Sequence, residues 1–255
     1  MSVMFPPESD LHGAVGRGEI VPYFQPQLDL ASRETVAVEV LCRWFHPVHG
    51  LVSPAEFIPV AEANGAILEI GKFMLEETCR AAAEWHGAGL PLEVSVNVSP
   101  IQLAQPDFFD TLLDNLEHLE LPPQTLTIEI TESLPIANLP FVVDRLASLR
   151  DLGLGVSIDD FGTGYSSIAQ LQSLPATELK IDQSLVQDDS VDTQELVSAV
   201  VGVVRTRGIR IVAEGVETEE QLDRVVELGC DRAQGYLFSP PVSRSEIDDL
   251  LAYAS

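Results

Sequence analysis

Short apolar runs alternate with longer amphipathic segments from about residue 20 to the end of the chain. The runs 20–27, 35–43, 92–99, 126–132, 154–160, 178–182, 209–214 and 232–238 have the length and alternation of strands. The segments 66–88, 107–119, 137–151, 193–207, 218–229 and 243–253 repeat apolar residues at helical spacing. Shorter turns of helix are predicted at 54–63 and 166–173. Gly153, Gly208 and Gly229 each follow a helical run, as C-terminal stops do. Strands alternating with helices in this number predict one (β/α)8 barrel rather than an open sheet. Only a short turn around 29–33 separates the first two strands. No crossover helix fits there, so the first strand is expected antiparallel to the second, a modification of the plain TIM barrel. No linker-like stretch or composition break divides the chain. Residues 1–255 therefore read as one domain, with its core between about 10 and 250.

Alternation also sorts side chains by face. In 126–132, Leu126, Ile128 and Ile130 oppose Thr127, Glu129 and Thr131. In 94–99, Val94, Val96 and Val98 oppose Ser95, Asn97 and Ser99. In 36–43, Val36, Val38, Val40 and Cys42 oppose Ala37, Glu39, Leu41 and Arg43. Val156 and Ile158 oppose Ser157 and Asp159, and Leu179 and Ile181 oppose Glu178, Lys180 and Asp182. In a barrel the apolar face packs on the helices and the other face points inward. Each inward face then carries a charged or metal-capable group near its C-terminal end, where barrel active sites lie. Glu214, Glu217 and Gln234 extend the series onto the last two strands.

Composition narrows the partners. The formal net charge of -26 argues against duplex nucleic acid or an anionic membrane as a partner. No apolar run approaches the length of a membrane span, and no signal-peptide pattern opens the chain. Cys42, Cys79 and Cys230 are scattered and form no CxxC pair, so reduced thiols in a cytoplasmic protein are expected. His12, His46, His49, His86 and His118 are assigned to loops or helices, away from the charged layer.

The densest chemistry is Ser157-Ile158-Asp159-Asp160-Phe161-Gly162-Thr163-Gly164-Tyr165-Ser166-Ser167, paired carboxylates at a strand end followed by a loop of glycines and hydroxyls. With Glu39, Glu129 and Glu214, these acids would repel one another unless cations offset them. Oxygen donors plus the Asn97 carbonyl suit Mg²⁺ or Mn²⁺, not zinc. Two such ions are a standard device for displacement at phosphorus. Lys180 could orient the attacking water or meet a phosphate oxygen, and Arg43 could pair with a phosphate. This chemistry reaches a metal-dependent phosphoester hydrolase, and leaves open an enolase-like lyase or isomerase.

The motifs in order resemble the EAL-domain family. Tyr23-Phe24-Gln25-Pro26 is similar to its opening strand, and Glu39-Val40-Leu41-Cys42-Arg43-Trp44 to its signature, with Val40 where the name motif has Ala. Asn97-Val98-Ser99, Glu129-Ile130-Thr131-Glu132, Asp159-Asp160-Phe161-Gly162-Thr163-Gly164, Leu179-Lys180-Ile181-Asp182, Ala213-Glu214-Gly215-Val216-Glu217 and Gln234-Gly235-Tyr236 follow. The resemblance implies a phosphodiesterase that linearises cyclic di-GMP to pGpG with two Mg²⁺ or Mn²⁺ ions. It implies metal binding by Glu39, Asn97, Glu129, Asp159, Asp160 and Glu214. It implies catalytic roles for Glu39, Asp159, Lys180 and Glu214, with Lys180 assisting the water and Glu214 a ligand or the base. Gln25, Leu41, Arg43, Asp182, Glu217 and Gln234 would contact substrate, and Glu132 would anchor the loop 161–167. A homodimer is implied too, to which the valine-rich helix 193–207 could contribute, and a sensor or cyclase-type domain or partner outside these residues. Two other readings stand beside the enzyme: a nucleotide receptor signalling through protein contacts, and an inert interaction domain.

Overall fold

The computed structural model describes residues 6, 8–131, 140–163 and 174–253. The expected loop anchor Glu132 and the predicted turn 166–173 lie outside the described residues. Strands β1 (Ile20–Asp29), β2 (Thr35–His46), β3 (Gly50–Val52), β4 (Glu93–Asn97), β5 (Leu126–Thr131), β6 (Gly155–Phe161), β7 (Glu178–Ile181), β8 (Arg210–Ala213) and β9 (Arg232–Ala233) form one sheet. It runs β2-β4-β5-β6-β7-β8-β9-β1 and closes by pairing of β1 with β2, while β3 extends β2 as a hairpin. β1 is antiparallel to both β2 and β9, and every other barrel pair is parallel. The expected modified TIM barrel, with its reversed first strand, is what the chain forms.

The surrounding helices are α1 (Pro54–Asn64), α2 (Ile67–Gly87), α3 (Pro100–Leu103), α4 (Phe108–His118), α5 (Pro140–Asp151), α6 (Gln183–Gln187), α7 (Val191–Arg205), α8 (Glu219–Leu228) and α9 (Arg244–Tyr253). The stripe Ile67, Ile70, Met74, Leu75, Cys79, Ala82 and Trp85 recurs every three or four residues and is buried, which explains why α2 packs as it does. Helix α8 starts with a capping box from Thr218 and Gln221 and stops at Gly229, whose φ of 88° favours glycine. The valines Val197, Val200, Val201 and Val204 of α7 are buried within the chain, so that stripe serves the core, while Val191 and Leu196 of the same helix stay exposed.

Some sequence expectations shift. The short helical segment expected over 54–63 is found as the helix Pro54–Asn64, with Pro54 in its first turn and Gly65 capping its end. The last strand, expected over 232–238, pairs only at Arg232 and Ala233, because the chain then turns through hydrogen bonds such as Leu237 N to Val216 O. His46, assigned to a loop, ends β2, with Nδ1 accepting from Val48 N and His49 N.

The barrel's two faces separate as alternation predicts. Val38, Val40, Val94, Val96, Ile128, Ile130, Val156, Ile158, Leu179 and Ile181 are buried among the helices. At the N-terminal strand ends, Glu93 binds Arg210 and Arg232, and Glu178 binds Arg210 at 2.7 Å. This ionic plug closes the bottom of the barrel, leaving the opposite mouth for chemistry. Among the described residues no helix is long and apolar enough to cross a membrane.

Candidate active site

Lys180 projects from β7 into the barrel and is the hub of the site. Its Nζ lies 3.1 Å from Glu39, 3.0 Å from Glu129, 3.2 Å from Asp159 and 2.8 Å from Glu214. These acids come from β2, β5, β6 and the end of β8, so the parity argument places all of them correctly. Lys180 and Glu129 are fully buried beneath the others. Glu39 receives two further constraints. Gln234 Nε2 donates to its Oε2 at 2.6 Å and to Gln25 Oε1 at 2.8 Å. Asn97 Nδ2 donates to Glu39 Oε1 at 2.9 Å and to Glu129 Oε2 at 3.3 Å.

Alternation alone would send Asp160 away from Asp159. Instead β6 shifts register between Ile158 and Phe161, and Asp160 takes a left-handed φ of 59°. Such a bulge lets two consecutive carboxylates face the same space. Asp and Asn tolerate this backbone better than most residues, and a strained backbone is frequent at sites of function. Asp160 N also donates to Asp159 Oδ1 at 3.0 Å. The strand end expected at this carboxylate pair is thus a strand bulge.

Two overlapping triads result, Glu39–Glu129–Asp159 and Asp159–Asp160–Glu214, each with ligand oxygens within 4.8 Å of one another. Crowding shows in their protonation. Burial, reinforced by Glu39, raises Glu129 well above the usual carboxylate range. Burial also raises Glu214 and Asp159 despite the attraction of Lys180. Burial and the charges of Asp159 and Asp182 push Asp160 up to about 6. Burial opposes ionisation of Glu39, but Lys180 and Gln234 outweigh it and hold its pKa low. Lys180 itself stays protonated, because the four acids overcome its burial. Among the described residues, Glu129 Oε1 is buried with no hydrogen-bond partner. An all-oxygen donor set with a spare buried acceptor fits a hard divalent cation.

Above these acids opens a cavity of about 660 Å³. Gln25, Leu41, Arg43, Asp182, Glu217 and Gln234, the expected substrate contacts, all line it. Arg43 lies over the Tyr23 ring, and Asp182 caps α6 by accepting from Ser184 N. The sequence reading missed the opposite wall, where α1 and α2 contribute Ile58, Glu62, Ile67, Ile70 and Met74. Those residues read as ordinary helix positions, and only their place beside the mouth singles them out.

A barrel whose mouth brings together carboxylates that could hold a metal ion, over a buried lysine and under a cavity of this size, has the build of a ligand-binding barrel site. This chain is a member of the EAL domain family, whose sequence model matches residues 8–241. It is 39% identical over 241 residues to the bifunctional diguanylate cyclase/cyclic di-GMP phosphodiesterase MucR of Pseudomonas aeruginosa, covering 93% of this chain and 35% of MucR. It is 38% identical over 247 residues to the cyclic di-GMP phosphodiesterase NbdA of the same organism, covering 96% of this chain and 32% of NbdA. The chain thus spans about a third of the length of these curated relatives. Among solved structures, the MucR phosphodiesterase in complex with c-di-GMP superposes with a TM-score of 0.87 at 39% identity, covering 94% of this chain and 98% of that one. The EAL enzyme Bd1971 bound to cAMP and cyclic-di-GMP gives 0.90 at 30% identity, covering 96% and 68%.

Proposed function

We propose that this chain hydrolyses cyclic di-GMP to linear pGpG with two divalent cations, Mg²⁺ or Mn²⁺. The observation that carries the reading is the pair of carboxylate triads sharing Asp159 at the floor of the cavity. The nucleotide is supported by the relatives whose names and titles carry it. Glu39, Asn97, Glu129 and Asp159 would hold one cation, and Asp159, Asp160 and Glu214 the other. Asn97 would offer its carbonyl oxygen after its amide turns from the orientation in which nitrogen faces the acids. When bound, the cations would polarise the phosphoryl oxygens and acidify a water.

The chain's own residues supply the rest. Glu214, in its ionised form, would take the proton of the attacking water. The water oxygen would bond to phosphorus as the bond to the ribose 3′ oxygen breaks, and that oxygen would take a proton from solvent and leave as a hydroxyl. Lys180 would place positive charge beside the reacting water and fix the acids around it. Arg43 would meet phosphate, while Gln25, Leu41, Asp182, Glu217 and Gln234 would contact the rest of the nucleotide. Glu132 would anchor the loop 161–167. The same reading takes residues 1–255 as one domain acting in the cytoplasm as a homodimer, alongside a sensor or cyclase-type domain or partner. Light scattering checks the pairing.

Incubation of the purified protein with cyclic di-GMP and either cation should yield pGpG, resolved by chromatography. Glu39→Ala should lower turnover by about 10²-fold or more, since removing even an outer-shell partner of a metal ligand costs 10–100-fold. Tight nucleotide binding without product under both cations would sink the catalytic reading and leave a receptor.

A further inference from the structure

Glu62 lies on α1, outside every motif that carries the proposed chemistry, yet it reaches the cavity wall. Its Oε1 accepts a hydrogen bond from Ser99 Oγ at 2.6 Å. That length is usual for a hydroxyl donating to a carboxylate. It is the one hydrogen bond the Glu62 side chain makes among the described residues to the strand layer.

Ser99 stands two residues beyond Asn97, just past the end of β4. Its place is fixed from several sides. Val98 N donates to Glu129 O, which holds the strand end against β5. Ser99 also caps α3, and its backbone N donates to Gln102 Oε1 at 3.1 Å. Gln102 in turn packs flat on Gly71 of α2, where an added Cβ would come within 1.9 Å of its amide nitrogen. The turn after Asn97 is therefore clamped between α1 and α2. Asn97 itself is exposed at the strand end, and its amide reaches Glu39 and Glu129.

We propose that Glu62 is a positioning residue that acts through Ser99 to hold Asn97 over the carboxylate cluster. The inference rests on the metal-binding reading of that cluster. A floating strand end would let the Asn97 amide swing away from Glu39 and Glu129, and the entropy of ordering it would then oppose cation binding. The Glu62–Ser99 clasp removes that freedom before any cation arrives, as outer partners of metal ligands do elsewhere.

The test is calorimetric titration of the full chain with Mn²⁺ alone, without nucleotide. Glu62→Ala and Ser99→Ala should each weaken Mn²⁺ affinity about tenfold or more. Glu62→Gln keeps an oxygen for the Ser99 hydroxyl and should recover most of that loss. The double variant Glu62→Ala/Ser99→Ala should be no weaker than either single one, because both break the same link. With nucleotide added, turnover of Glu62→Ala should recover at high Mn²⁺, which a merely unstable barrel would not do. Affinities within twofold of wild type in both alanine variants, or losses that simply add in the double variant, overturn the inference. Failure of the unaltered protein to bind Mn²⁺ would instead overturn the metal reading, and this inference with it.

Discussion

Lys180 Nζ sits 3.0 Å from Glu129 Oε2 with neither side chain touching solvent. The ammonium is a built-in counter-ion for acids that also form the two candidate cation triads. Replacing it by Lys180→Met leaves buried carboxylates uncompensated. Breaking a buried pair by removing one partner costs about 3–5 kcal/mol, or on the order of 10 °C in a chain of this size. The metal-free variant should melt lower by that order. Mn²⁺ should restore more stability to it than to the unaltered protein, while turnover stays lost. Melting curves with and without Mn²⁺ read both effects; equal Mn²⁺ stabilisation of the two proteins would refute the shared-oxygen account.

The raised acids make stability depend on pH in a defined direction. Between about pH 5 and 7 an unfolded chain has ionised its carboxylates. The folded, metal-free site still retains protons on Glu129 and Glu214, which burial pushes well above the usual carboxylate range, and partly on Asp160 at about 6. The folded state then binds more protons than the unfolded one, so stability falls as pH rises through this window. Glu39, whose pKa is held low, is ionised in both states there and adds no slope. In chelator the melting temperature should decline from pH 5 to 7. Glu214→Gln should shrink that decline, and saturating Mg²⁺ should flatten it. A slope identical in Glu214→Gln and the unaltered protein would contradict the assignment.

Backbone strain at Asp160 separates fold from chemistry. Its φ of 59° is open to Asn but costly for β-branched residues. Asp160→Asn should melt within a few degrees of the unaltered protein yet lose metal-dependent turnover. Asp160→Val should lose about 1–2 kcal/mol of stability as well. Denaturant titration distinguishes the two, and equal stability of both variants would remove the strain argument.

At the other end of the barrel, Glu93 joins Arg210 and Arg232. Burial alone would raise its pKa, but the bonds and charge of Arg232 and Arg210 outweigh it and hold it below the usual glutamate value. Its contribution is therefore present above pH about 4.5 and lost as pH falls through its folded value. Glu93→Gln should destabilise the chain at pH 7 by about 1 kcal/mol, discounted for partial exposure, and by less in acid. Turnover per folded molecule should hold, since the plug is remote from the mouth. A variant as stable as the parent at pH 7 would show the plug to be energetically neutral.

Much of this was readable from alternation. On β4, β5, β6 and β7 the valines and isoleucines mark the helix side, so Asn97, Glu129, Asp159 and Lys180 follow by parity. The reversed β1 was legible because five or so residues cannot hold a crossover helix. Asp160 escaped parity because a bulge erases the period of two on which parity depends. The plug of Glu93, Glu178, Arg210 and Arg232 also escaped, since charges at the start of a strand look like solvated ends until closure brings four of them together. Glu62 was invisible for a related reason: its partner Ser99 is distant in sequence, and no local pattern joins a helix end to a turn beyond another strand.

The reversed first strand has a mechanical consequence. Ile20 pairs with Trp44 and Gln25 with Glu39, so β1 starts at the mouth and descends. The segment leading into it is tied there too, with Trp44 Nε1 donating to Glu19 and Phe45 N to Glu19 O. Any displacement carried by residues 8–19 arrives at the rim, beside Tyr23 and Arg43, without crossing the barrel wall. A pull applied there would bear directly on the strand pair that carries Gln25 and Glu39.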